Sequence, residues 1–163
     1  MKTLFCQFGS ILFLFSFWTA CNNQQSQVME KTNDMKAVEY AERVIVGHGG
    51  GITGATTQYI IEGNGNVTKT YGMPTGKMDS TAMSKLTTEH LKQVHEGLDS
   101  LKLKEISFNH PGNMTWFITI EQGDSLKNTI QWGVPNDKKV DPAIKTYHNT
   151  VLEWVQEMEN NKQ

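Results

Sequence analysis

Five glycines in eight positions, Gly47-His48-Gly49-Gly50-Gly51-Ile52-Thr53-Gly54, constrain this chain more than any other stretch. Glycine at that density marks backbone that takes positive φ or passes so close to a neighbour that a Cβ would clash. Apolar Val44, Ile45 and Val46 precede it, and the β-branched and aromatic run Thr56 to Ile61 follows. Both flanks therefore predict strands, with the glycines a bulge or tight connection crossing between them. The competing reading is a phosphate cradle, because a glycine loop offers bare N–H groups to an anion. The details oppose it: a P-loop needs Gly-Lys-Ser/Thr opening a helix, a dinucleotide fingerprint also needs a following helix, and here a strand follows.

The N-terminus carries an address. Lys2 is followed by the apolar run Ile11 to Trp18 and then by Thr19-Ala20-Cys21, the layout of an export signal and not of a spanning helix. Its end resembles a bacterial lipobox, with Trp18 departing from the usual aliphatic residue three places before the cysteine. This reading makes 1–20 a lipoprotein signal peptide, Cys21 the lipid attachment point (palmitate-type acylation), 21–36 a flexible tether and 37–160 a single domain. The tether's Asn, Gln, Ser, Lys and Glu cannot bury enough surface to order themselves. Cys6 falls in the signal, so the domain has no cysteine and no disulfide framework. Losing Lys2 with the signal leaves 14 of the 15 basic residues against 17 acidic ones, a charge of −3. No basic stripe suggests nucleic acid. Lipoproteins sent to the outer face of certain outer membranes carry an acidic cluster after the cysteine, and Asn22 to Gln27 has none. That resemblance implies an anchor in the outer membrane facing the periplasm.

Along the domain, strands are predicted at about 43–47, 56–61 and 66–71, the last two joined by a turn at Glu62-Gly63-Asn64-Gly65. Residues 72–77, with Pro74 and Gly76, read as a loop. Thr87 offers an N-cap, and Leu91, Val94, Leu98 and Leu101 recur at helical spacing, predicting a helix over about 88–100. Gly97 weakens that helix by about 1 kcal/mol relative to alanine, so burial must hold it. Asn109 to Asn113 reads as a turn. Met114, Trp116, Ile118 and Ile120 then alternate with Thr115, Phe117, Thr119 and Glu121, and a returning strand carries Leu126, Asn128, Ile130 and Trp132. Asp141-Pro142 starts a second helix with the stripe Ile144, Tyr147, Val151, Val155 and Met158. The expected fold is a two-layer α+β domain: an antiparallel five-stranded sheet, in the order β-β-β-α-β-β-α, with two helices packed on one face.

Taken together, Gly49 to Gly54, Tyr59, the Gly63 to Val67 hairpin, Phe108-Asn109 with Pro111-Gly112-Asn113, and Ile130-Gln131-Trp132-Gly133 resemble an uncharacterised family of small bacterial envelope lipoproteins. The likeness covers nearly the whole mature domain. It implies fold and address only, since that family brings no established activity.

Candidate chemistry is sparse. Gly-x-Ser-x-Gly is absent. His90 and His95 are five apart, which separates them on a helix surface. His148 sits beside the apolar stripe. His48 and His110 both lie in glycine-containing turns, and are the weak candidates for a metal pair. Trp116, Phe117 and Trp132 read as core or, less simply, as the lining of a ligand pocket. Asp79-Ser80-Thr81, Asp99-Ser100-Leu101 and Asp124-Ser125-Leu126 resemble the acceptor motif of a bacterial O-glycosylation system, making Ser80, Ser100 and Ser125 possible attachment points; a capping or turn Asp-Ser pair is the plain alternative. The expected function is a non-enzymatic module that binds an envelope protein partner or organises an envelope complex. No catalytic residue and no cofactor are predicted. A small-molecule or metal-binding periplasmic module is the second reading, and a hydrolase the third.

Overall fold

The first strand, β1 (Glu42–Gly50), is apolar or bare on both faces. Val44 and Val46 are fully buried on one face, and Ile45 and Gly47 are buried on the other. A strand of that kind belongs inside a sheet. The computed structural model, which describes residues 39–134 and 139–161, places it there. The signal, the tether, Cys21 and the 135–138 segment lie outside the described residues.

The remaining strands are β2 (Thr56–Ile61), β3 (Asn66–Gly72), β4 (Met78–Lys85), β5 (Asn109–His110), β6 (Met114–Gln122) and β7 (Ser125–Val134). They form one seven-stranded sheet in the order β4-β3-β2-β1-β6-β7-β5. Every pairing is antiparallel except β5 with β7, which is parallel. The domain is thus α+β, but the expected five-stranded antiparallel sheet is wrong: the sheet is mixed and has two further strands. β4, Met-Asp-Ser-Thr-Ala-Met-Ser-Lys, shows no apolar alternation because it is the outermost strand and most of its side chains meet water. β5 is two residues long, too short to carry a period, and lies inside what reads locally as a turn.

The hairpin between β2 and β3 follows from Asn64-Gly65. Gly65 takes φ +88°, and its N–H donates to the Glu62 carbonyl at 2.7 Å. Two helices cover one face of the sheet, α1 (Thr88–Ser100) and α2 (Pro142–Asn160). The Thr87 hydroxyl accepts from the His90 N–H at 3.1 Å, and the Asp141 carboxylate caps α2 through the Ala143 N–H at 2.8 Å. α1 ends in a Schellman motif: Lys102 takes φ +50°, the Leu103 N–H reaches the Leu98 carbonyl, and buried Leu103 follows. Asn128 then fixes the outgoing chain by donating to the carbonyls of Leu103 and Ile106.

The core lies between that sheet face and the helices. Val44, Val46, Tyr59, Ile61, Ile118, Ile120, Ile130 and Trp132 meet Leu91, Val94, Leu98, Ile144, Val151 and Val155. The opposite face carries Gln58, Thr70, Phe117, Thr119 and Thr129, with Thr119 and Thr129 hydroxyls 3.2 Å apart across β6 and β7. No described helix is long and apolar enough to cross a membrane.

Gly97 is where the two helices touch. A Cβ there would meet the Tyr147 ring, with Cδ2 at 2.5 Å, and the Tyr147 hydroxyl donates to the Val94 carbonyl at 3.0 Å. The glycine that weakens α1 locally is the one that lets α2 approach it. Gly97→Ala should therefore destabilise the protein by about 1–3 kcal/mol, the overpacking outweighing a helix-propensity gain of about 1 kcal/mol. Urea denaturation decides it; a higher midpoint for the variant would show that propensity governs.

Candidate functional site

The glycine stretch divides into two functions. Gly47 and Gly49 are inside β1, where space is the constraint: a Cβ on Gly47 would lie 2.7 Å from Phe117 Cζ, and one on Gly49 would strike Thr56. Gly50, Gly51 and Gly54 take positive φ and build the β1–β2 turn. The Gly50 N–H donates to the Ala55 carbonyl at 3.1 Å, and the Gly51 N–H donates to the Asn113 carbonyl at 2.7 Å. The turn is therefore braced to the segment that enters β6. At its tip Ile52 is 107% exposed, and Met73 on the neighbouring β3–β4 turn is 47% exposed.

The histidines are mostly packed against aromatic rings. His90 stacks on Trp154 at 4.4 Å, His95 on Tyr40 at 3.7 Å, His110 meets Phe108 edge-on at 4.7 Å and His148 meets Trp132 edge-on at 5.0 Å. His48 and His110 do not converge. Register places them at the two ends of the row His48, Trp116, Trp132, His110, three strand spacings and about 14 Å apart. One metal ion cannot bind both, and no group of three or more metal-ligating side chains occurs among the described residues.

Of the aromatic candidates, Trp132 is core and Trp116 packs partly buried against it, while Phe117 lies half-buried on the helix-free face over Gly47. Phe117 also lines a groove of about 420 Å³ with Gly49, Thr56, Thr119 and Gln131, a floor without charge. Ser80 on β4, Ser100 at the end of α1 and Ser125 at the start of β7 are all exposed. The Ser100 hydroxyl turns back to the Gly97 carbonyl at 3.4 Å.

One site escaped the sequence reading. A cleft of about 460 Å³ opens beside the end of α2, lined by Thr57, Lys69, Tyr71, Asp79, Met83 and Glu159. Lys69 Nζ is 2.6 Å from Glu159 Oε1, and the Tyr59 hydroxyl is 3.3 Å from Glu159 Oε2. The Lys69 hydrogen bond holds the Glu159 carboxyl below its ordinary range, and Glu159 in turn raises the Lys69 ammonium. A signal was present: Lys69 falls in the inward phase of Val67 and Tyr71, so a charged residue sits where core would continue.

His148 is fully buried on α2, its Nε2 3.1 Å from the Gly47 carbonyl. A neutral ring donates from Nε2, leaving Nδ1 to accept from Asn149 at 3.3 Å once that amide presents its nitrogen. Burial lowers the pKa of His148 below the ordinary imidazole value, against a smaller opposing pull from the Gly47 carbonyl. His95 is lowered by burial too, with Glu42 opposing.

No protein-family model matches the chain, and no curated protein matches it either.

Both lowered histidines have one consequence for stability. Below about pH 6.5 the unfolded chain takes up protons that the folded state refuses, so stability is full at neutral pH and falls as the solution is acidified towards the folded pKa. Urea midpoints at about pH 7.5 and 5 should therefore differ by more in the wild type than in His148→Gln. Equal pH dependence in the two proteins would remove His148 as the cause.

Proposed function

We propose that the chain is a lipid-anchored envelope protein, tethered through Cys21 to the periplasmic side of the outer membrane, whose domain docks onto a protein partner and performs no chemistry of its own. The carrying observation is the solvated Ile52 on a hydrogen-bonded turn, with exposed Met73 on the next turn at the same end of the sheet. Burying an isoleucine side chain is worth about 1.5–3 kcal/mol, so a fully exposed one held on a fixed turn is an anchor for a pocket in another molecule. Because three glycines and the Asn113 carbonyl already set the turn, little conformational entropy remains to be lost on docking. The surroundings favour protein over lipid: Thr53, Thr75 and Asn113 are exposed nearby, and the basic cluster that anionic lipid would attract is missing from these turns. The packing of His90, His95, His110 and His148 against rings supports a structural role for them rather than service as catalytic bases. The resemblance to small envelope lipoproteins supports the address.

The test is crosslinking in cells with three forms: wild type, Cys21→Ser and Ile52→Asp. A partner recovered with wild type, lost with Cys21→Ser and reduced about tenfold or more with Ile52→Asp is the expected result. Equal recovery with Ile52→Asp would remove the turn from the interface. Unchanged urea midpoints for that variant show that its fold is intact.

A further inference from the structure

The cleft beside the end of α2 belongs to no part of the docking reading. From its walls we infer that it holds an organic cation: an ammonium or guanidinium group on a short apolar stem, such as an arginine side chain or a free amine carries.

Charge comes first. Two carboxylates line the cleft from different elements, Asp79 of β4 and Glu159 of α2, against Lys69 alone. That lysine is already engaged, 2.6 Å from Glu159 and 5.8 Å from the centroid of the Tyr59 ring. The helix end adds to the same sign. The last turn of α2 contains Glu157 and Glu159 and no basic residue, so among the described residues Lys69 is the cation paired at the negative end of its dipole.

Geometry selects the kind of cation. Tyr71 stands directly opposite Asp79 in the β3–β4 register and is 55% exposed, so a carboxylate and an aromatic face are offered side by side. A guanidinium or ammonium group can use both at once, whereas a bare metal ion finds too few oxygen ligands. Half-buried Met83 supplies an apolar wall for the stem. The present neighbour of Asp79 is Lys77 at 3.4 Å, a pair whose side chains are 90% and 75% exposed. Surface pairs of that kind contribute little, so an entering cation displaces Lys77 readily. An anion would instead have to draw Lys69 away from Glu159 and then face Asp79.

Titration of isotope-labelled protein with agmatine, followed by amide chemical shifts, tests this. Saturable shifts should concentrate at Thr57, Tyr71, Thr81 and Met83 and be absent with 1-butanol, which has the stem without the charge. Tyr71→Ala and Asp79→Asn, both at exposed positions, should each weaken binding by about fivefold, and salt at about 0.5 M should weaken it further. Glu153→Gln, an exposed carboxylate outside the cleft, should change nothing. Shifts spread evenly over Glu89, Glu96 and Glu153, or affinity unaltered in both cleft variants, overturn the inference. N-acetyl-Ala-Arg-Ala-amide separates the sources: binding as tight as agmatine assigns the site to a protein side chain, and exclusion of the peptide while agmatine binds assigns it to a free amine. Ile52→Asp should leave agmatine binding intact, so loss of the docking reading and loss of this one are separate results.

Discussion

Gly47 is the point at which the layers of this domain meet. It lies in the central strand, with β2 on one side and β6 on the other, and it has no side chain on the helix-free face. The Phe117 ring occupies that space, close enough that any Cβ would collide with it. Its carbonyl takes the Nε2–H of His148 from α2, on the far side of the strand. One residue thus holds an aromatic ring on one face and a helix on the other. A side chain there would have to move Phe117 or push β1 away from β2, and β1 carries Val44 and Val46 of the core with it.

The parts of the fold that local chemistry decides were readable in the chain. Thr87 and the Leu91, Val94, Leu98 stripe gave α1 its limits, Asn64-Gly65 gave the hairpin, and Asp141-Pro142 gave the start of α2. What could not be read depends on partners distant in sequence. β4 is a strand because β3 pairs with it, since its own residues lack the alternation that a half-buried strand shows. β5 exists as a two-residue bridge to β7, whose pairing residues lie more than twenty positions away. The cleft needed all of β2, β3, β4 and α2 in place before its lining came together. The metal pair was misleading for the same reason: His48 lies between two glycines and His110 two residues before Gly112, but strand order and not local sequence puts two tryptophans between them.

The histidines show how one residue type serves packing when ring faces are available. An imidazole stacked at 3.7 Å on Tyr40 or 4.4 Å on Trp154 gives planar contact while keeping a polar edge for water or backbone. In the buried cases the polar edge is costly unless paired. His148 meets that requirement through Gly47, whereas His95 Nε2 has no hydrogen-bond partner among the described residues. Both arrangements favour the neutral ring, which ties the stability of the fold to the pH of its surroundings.

The path of α2 explains why one end of the sheet is left polar. From His148, against Trp132 of β7, to Glu159, bonded to Lys69 of β3, the helix advances eleven residues, about 16 Å. Four strand spacings, about 19 Å, separate β7 from β3, so the helix runs across the strands, and its last turns reach the β3–β4 edge of the sheet. The row formed by Thr57, Tyr71 and Asp79 lies on the helix side of the sheet and lines the open cleft together with Glu159 of α2. An apolar row in that position would face the open cleft. The sequence instead supplies a threonine, a tyrosine and an aspartate, with Lys69 and Glu159 closing the boundary between covered core and open cleft. The ion pair marks where the core stops, and the residues beyond it are of the kinds that water or a charged ligand can satisfy.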